Sequence, residues 1–187
     1  MNEVPITYVK NFISNPDEIF KSLWNELKWK KIDEVPRLEY YSNDNDVPYS
    51  YGVPEFLRTY NPQPWHPDMV KIKQMLNTTQ NTSFNVCFIN AYRDLKDQLG
   101  WHADDSPEMD HSKPIAIVSL GAERDIWFKE KDKNNEKENI TKLRLGNGSL
   151  CLMHPKMQLS HLHRIPKCDN QSIGKRISLT FREFITI

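Results

Sequence analysis

Apolar positions recur at helical spacing twice in the first half of the chain, then at strand spacing or in short unbroken runs through the second half. Residues 5 to 12 form an extended apolar lead-in that reads as a short edge strand. Ser14-Asn15-Pro16-Asp17-Glu18 then supplies a cap, a proline suited to a first helical turn and two acids that complement the positive end of a helix. Ile19, Phe20, Leu23, Trp24 and Leu27 follow on one helical face, so a helix packed against a core is predicted there. From Ile32 to Trp65 the pattern breaks into aromatics separated by Pro36, Pro48, Pro54, Pro62 and Pro64, which predicts loops and short strands forming a lid or rim. A second helix is predicted from Pro67 to Asn77, ended by the turn-rich run to Asn81.

Beyond Ser83 the period changes. The runs Phe84 to Tyr92, Ile115 to Leu120, Asp125 to Phe128, Lys142 to Leu145, Ser149 to Met153 and Arg176 to Phe184 are β-branched or alternating and bounded by turn residues. Several short strands in series predict a sandwich or barrel. Lys129 to Asn139 carries charge with almost nothing to bury and is expected to be an exposed loop. The fold class is therefore mainly β with flanking helices, in one domain over 1–187, with helices and lid in 1–83 and the β core in 84–187.

Composition narrows the setting. Lys plus Arg number 25 and Asp plus Glu number 25, so no overall field draws the protein to nucleic acid, and any such contact must be local. Cys87, Cys151 and Cys168 lack zinc-site spacing and form no disulfide framework, which suits a reducing compartment. No apolar run reaches membrane-spanning length and no signal peptide is seen, so an intracellular protein, cytoplasmic or nuclear, is expected, with no membrane partner. A monomer is expected as well.

The chemistry concentrates in a few short stretches. Trp101-His102-Ala103-Asp104 places an imidazole and a carboxylate on the same side of an extended segment, where both can grip one metal ion. Trp65-His66-Pro67-Asp68 has the same spacing, but its proline followed by an acid reads as a helix start, so His66 and Asp68 are expected to serve as cap-region groups. A second imidazole must come from Gln158-Leu159-Ser160-His161-Leu162-His163, in which both His161 and His163 qualify. Two imidazoles and one carboxylate make the facial triad that holds iron(II) and leaves coordination positions open. In the last strand, Arg176, Ser178, Thr180 and Arg182 share one face, and two converging guanidinium groups suit a small dicarboxylate.

Taken in order, Asn90-Ala91-Tyr92-Arg93, Trp101-His102-Ala103-Asp104-Asp105, Pro114-Ile115-Ala116, Ser119-Leu120-Gly121-Ala122 with Arg124, Gly148-Ser149-Leu150 with Met153, His163-Arg164-Ile165-Pro166-Lys167 and Arg176 to Arg182 resemble the AlkB family of iron(II)- and 2-oxoglutarate-dependent dioxygenases. The resemblance implies a double-stranded β-helix, or jelly roll. It implies His102, Asp104 and His163 as metal ligands and catalytic residues, with Asn90, Tyr92, Arg176, Ser178 and Arg182 around 2-oxoglutarate. The implied reaction is oxidative demethylation of nucleobases of the 1-methyladenine or 3-methylcytosine type in DNA or RNA. Iron(II), 2-oxoglutarate and O2 are its cofactor and cosubstrates, and formaldehyde, succinate and CO2 are released.

Pro36-Arg37, Tyr49-Ser50-Tyr51-Gly52 and Pro64-Trp65-His66-Pro67 fall where that family builds its nucleotide-recognition lid. Tyr49 and Tyr51 are candidates to sandwich a flipped base against His102, while Trp101 and Asp105 complete the candidate substrate set. Ser106 departs from the acid usual at its position, which leaves base preference open. Residues 28 to 36 offer no apolar wedge to plug a duplex, which favours a single-stranded partner. Two other readings share the pattern: a 2-oxoglutarate-dependent hydroxylase of protein or lipid, and a jelly-roll binding module without catalysis.

Overall fold

The computed structural model describes residues 4–32, 35–52, 57–131, 139–167 and 174–185, and the facts below concern these. Thirteen strands and three helices are assigned among them. In chain order they are β1 (Ile6–Val9), α1 (Pro16–Glu26), β2 (Lys30–Lys31), β3 (Leu38–Asn43), β4 (Tyr49–Tyr51), β5 (Arg58–Tyr60), α2 (Pro67–Gln80), β6 (Val86–Tyr92) and β7 (Leu99–His102). There follow β8 (Ile115–Gly121), β9 (Arg124–Glu130), β10 (Thr141–Leu145), β11 (Ser149–Met153), α3 (Met157–Ser160), β12 (His161–Ile165) and β13 (Arg176–Arg182).

Seven strands form one sheet in the order β1-β11-β8-β13-β6-β3-β2, four form another in the order β10-β9-β12-β7, and β4 pairs with β5 as a separate hairpin. The pairs along both sheets are antiparallel. This is the jelly-roll arrangement of two facing sheets. The large sheet is covered on both sides. On one face Cys87, Ile89, Ala91, Val118, Leu179 and Phe181 pack against Leu23 and Leu27 of the α1 segment and Met69, Ile72 and Leu76 of α2. On the other, Val86, Phe88, Ile115 and Ile117 meet Ile126, Phe128 and Ile165 of the small sheet. Two-sided cover explains why β6 and β13 are buried at every residue. Apolar side chains of β13 (Ile177, Leu179, Phe181) turn to the helices, so its polar ones face the small sheet.

The expected helices form, with changes at their ends. In α1, Asn15 is the N-cap, its side chain bonded to the Glu18 carboxylate and not to a backbone N–H, Pro16 opens the first turn, and Asp17 and Glu18 lie within it. In α2, the His66 ring accepts the backbone N–H of Asp68, so the Trp65–Asp68 stretch is a helix cap as expected. That helix runs past Asn77 to Gln80, with the hydroxyls of Thr78 and Thr79 bonded back to the carbonyls of Gln74 and Met75, and it stops where Asn81 turns left-handed.

The stretch read as a lid contributes more to the core than expected, since β3 pairs with β6 along Leu38–Asn43 and joins the large sheet. Residues 129–131, expected in a charged loop, continue β9 as far as Glu130; residues 132–138 lie outside the described set, as does Cys168. Cys87 and Cys151 are free and buried. Among the described residues no helix is long and apolar enough to cross a membrane.

Candidate active site

The two histidines named for the triad are brought together by strand pairing. His102 ends β7 and His163 sits in the middle of β12, opposite each other in register, with ring centroids 4.2 Å apart. Asp104 follows two residues after His102, with its Oδ1 3.8 Å from His102 Nε2. One ligand atom from each of His102, Asp104 and His163 lies within 4.8 Å of the others. His161, the competing candidate, is two residues up β12 and bonds through Nδ1 to the Ser160 hydroxyl at 2.8 Å, outside this cluster.

Each ligand is prepared for a metal. His102 donates from Nδ1 to the Gly100 carbonyl at 2.9 Å, which leaves Nε2 with its lone pair on the side of Asp104. Burial pushes the His102 imidazole below its ordinary pKa, and burial together with His102 pushes His163 down to about 3, so both rings are neutral near pH 7. Burial alone would raise the Asp104 carboxyl. Arg182 Nη2, 2.9 Å from Asp104 Oδ2, and the two imidazoles outweigh it and hold the group at about 2. The backbone N–H of Asp104 donates to Oε1 of Gln158 on α3 at 2.9 Å, tying the two ligand-bearing segments together.

Arg176 and Arg182 share a face of β13, six strand steps or about 20 Å apart at their Cα atoms, so they stand at opposite ends of the strand. Arg182 is committed to Asp104 and lines the cavity beside the triad. Arg176 is fully buried, gives one bond to Ser119 at 2.8 Å and a longer one to Ser178, and lies over the Tyr92 ring. Its Nε and Nη1 and the Tyr92 hydroxyl lie near one another but make no well-formed hydrogen bond among the described residues. A buried guanidinium with two idle donors is costly unless an anion meets it. Asn90, Tyr92 and Ser178 line the same cavity as His102, Asp104 and His163. A dicarboxylate held at Arg176 and reaching toward the triad therefore fits the donors present, as two nitrogens and one carboxylate oxygen fit iron(II).

The expected substrate residues divide. Tyr49 and Tyr51 both line the cavity, stacked with centroids 6.4 Å apart. Tyr49 is buried against Tyr41, Phe88 and Phe184, whereas Tyr51 is half-buried. Trp101 and Asp105, in contrast, are not on the cavity wall. Trp101 precedes His102 on β7 and so turns away from it, beside Arg164 and Lys129; Asp105, beyond the end of β7, is exposed, paired with Lys131 at 2.9 Å and near enough to act on the Tyr51 hydroxyl.

Other polar residues were not singled out by the sequence. Arg37 donates to Asn90 Oδ1 at 2.6 Å and to Glu39 Oε1 at 2.7 Å, and the Tyr60 hydroxyl donates to Glu39 Oε2 at 2.9 Å. All of these side chains line the cavity. Arg124, also buried, donates to the carbonyls of Asp94, Asp97 and Pro166, which clamps the loop before β7 to the end of β12. Pro36-Arg37 was a visible signal; the burial of Glu39 was not.

Residues 14–182 match the family described as the 2OG-Fe(II) oxygenase superfamily. The chain is 29% identical over 184 residues to the DNA oxidative demethylase ALKBH2 of Bos taurus, covering 90% of this chain and 64% of that protein. It is 32% identical to the alpha-ketoglutarate-dependent dioxygenase alkB homolog 3 of the same organism, covering 91% and 62%. The chain thus spans a little under two thirds of the length of these two relatives. The solved structure of OsALKBH1 shares the fold, with a TM-score of 0.71 over 98% of both chains at 14% identity. The chain belongs to the 2OG-Fe(II) oxygenase superfamily, in its AlkB-like branch. Iron(II), 2-oxoglutarate and O2 are the cofactor and cosubstrates of that superfamily.

Proposed function

We propose that this protein removes alkyl groups oxidatively from nucleobases of the 1-methyladenine or 3-methylcytosine type, in single-stranded DNA or RNA. The carrying observation is one cavity that has His102, Asp104 and His163 on its wall together with the stacked tyrosines Tyr49 and Tyr51. The names of the relatives, a DNA oxidative demethylase and an alkB homolog, support the same substrate class.

In this reading His102, Asp104 and His163 hold iron(II), and Arg176, Tyr92, Asn90 and Ser178 hold 2-oxoglutarate. Once loaded, the site supplies an oxidant able to hydroxylate an alkyl carbon on nitrogen, after which formaldehyde leaves and the base is restored. The chain's own share is placement. Arg182 keeps Asp104 ionised, and the His102 Nδ1–H bond to Gly100 fixes which ring nitrogen is offered. Leu99, Ile117, Ile126 and Ile165 give the cavity apolar walls that exclude water. Tyr51, the more open of the two tyrosines, supplies a ring face for the extracted base. The buried free thiols suit a reducing, intracellular setting.

The test is turnover of one 1-methyladenine or 3-methylcytosine site placed in single-stranded DNA, duplex DNA and RNA, with formaldehyde and succinate quantified together. Stoichiometric release on a single-stranded substrate is expected. Succinate formed at the same rate with and without every methylated oligonucleotide would overturn the substrate class.

A further inference from the structure

The outer face of the four-stranded sheet carries a row of side chains that the active site does not use. Burial alternates along β9, so Asp125, Trp127 and Lys129 point outward while Ile126 and Phe128 point into the core. Strand register sets Lys142 of β10 and Arg164 of β12 directly beside Trp127, and Arg144 beside Asp125. Lys142 Nζ lies 4.3 Å from the Trp127 ring centre; the Arg164 guanidinium lies 4.4 Å from Trp127 and 4.7 Å from Trp101; Lys129 Nζ lies 4.9 Å from Trp101. The row Lys142, Trp127, Arg164, Trp101 crosses all four strands, about 14 Å at the spacing of adjacent strands. Lys142 is exposed and the other three are half-buried.

Four cations gather on this face: among the described residues Lys129, Lys142, Arg144 and Arg164 point outward, with Asp125 ion-paired to Arg144 and Lys142 the exposed member. In a chain whose net charge is zero, a polyanion must be met by such a local group. Cations alone would suit any anionic surface. Cations interleaved with indoles suit one whose charges alternate with flat π-systems, which is the chemistry of single-stranded nucleic acid. Guanidinium planes and indole faces both accept unstacked bases, and the two lysines are long enough to leave the rings for phosphates.

The position of the row connects it to the cavity. Trp101 and His102 are consecutive on β7, the edge strand of the sheet, so the platform and the triad lie on opposite faces of one edge. We propose that this outer face is a second contact surface for the substrate, binding the single-stranded nucleic acid that flanks the target base as it passes over the β7 edge. This inference rests on the nucleic-acid reading above and extends it from the base to the strand.

The experiment compares wild type with Lys142→Gln and Trp127→Leu, neither of which touches the cavity. Affinity for a fluorescently labelled single strand of about 15 nucleotides is measured across a salt series, alongside turnover of a methylated trinucleotide too short to reach the platform. Each variant is expected to bind the long strand about tenfold more weakly, a loss at the lower end of base-stacking contributions. Lys142→Gln should also reduce the salt slope by about 0.7. Trinucleotide turnover should stay at the wild-type level. Unchanged long-strand affinity in both variants overturns the platform. So does an equal fall in trinucleotide turnover, because the loss would then owe nothing to the flanking strand. A wild type that binds the long strand through Lys142 and Trp127 yet demethylates nothing would keep the platform and discard the demethylase reading.

Discussion

Arg37 Nε donates to Oδ1 of Asn90 at 2.6 Å. An arginine nitrogen can only donate, so the atom facing it must be the amide oxygen, and the Asn90 NH2 is turned to the other side, where the residue lines the cavity. Arg37 is itself held by Glu39, which also accepts from Tyr60 on the lid hairpin. A carboxylate or keto oxygen of 2-oxoglutarate would therefore meet a donor whose orientation is set two residues away. Arg37→Met should raise the KM for 2-oxoglutarate by about tenfold with a smaller change in kcat, in line with a lost charge-assisted hydrogen bond. Asn90→Ala should do the same, and the double variant should be no worse than either. Additive losses in that cycle would show that Arg37 does not act through Asn90.

The Asp104–Arg182 pair makes metal binding tolerant of acid. Asp104 is held at about 2 and His163 at about 3, so these two ligands stay deprotonated well below neutrality, and burial lowers His102 in the same direction. A carboxyl whose folded pKa is depressed from about 3.9 contributes stability that is present above that value and is lost as pH falls toward about 2. His163, depressed from about 6.5, opposes folding progressively as pH falls from there toward about 3, because the unfolded chain takes up protons first, and the lowered His102 acts with the same sign. Removing Arg182 leaves the buried carboxylate without its cation and moves its pKa up. Cobalt(II) affinity of wild type should change little between pH 7.5 and 6, whereas that of Arg182→Gln should fall by an order of magnitude or more over the same interval. Parallel pH profiles for the two proteins would remove Arg182 from this role.

The sequence displayed the sheet better than the site. Strands such as β6, β8 and β13 are long apolar or alternating runs because the large sheet is covered on both faces, and that cover imprints itself on composition. The triad strands β7 and β12 are short, carry glycine, histidine and arginine, and are absent from the runs that predict strands; they are strands only because β9 pairs β12 and β12 pairs β7. The triad itself was legible as residue types in order. What could not be read was the Arg37–Glu39–Tyr60 network, which exists because β3 joins the large sheet and carries a charged residue inward. That Trp101 faces the opposite side of its strand follows from the same two-residue period that sets His102 beside Asp104, so its place in the expected substrate set was at odds with that period.

Gly121 closes β8 at φ 85°, and a Cβ there would stand 2.4 Å from the Lys175 carbonyl oxygen and 2.8 Å from the Phe20 ring. Neither neighbour can yield cheaply, since one is backbone bonded to the N–H of Ala122 and the other packs in the helix-side core. Gly121→Ala should lower Tm by about 5 °C or more through combined strain and overlap. The site lies on the opposite side of the sheet from Phe20, so kcat per folded molecule should be retained. A melting curve unchanged from wild type would mean that the β8–β9 turn relaxes freely.

Tyr49 and Tyr51 stand two residues apart on β4, yet their surroundings assign them different work. Tyr49 is packed by Tyr41, Tyr60, Phe88 and Phe184, and burial pushes its hydroxyl up to about 12, so its ring is part of the inter-sheet core. Tyr51 stacks on Tyr49 at the edge of that core and lines the cavity half-buried. Truncating a buried aromatic typically costs about 3–5 kcal/mol, whereas a half-open ring loses much less. Tyr49→Ala should therefore be read mainly in thermal stability, with a clear drop in Tm. Tyr51→Ala should melt close to wild type but raise the KM for a methylated oligonucleotide about tenfold, and Tyr51→Phe should restore it because the ring face, not the hydroxyl, does the stacking. If Tyr51→Phe were as impaired as Tyr51→Ala, the hydroxyl would be the recognising group and the stacking role would be wrong.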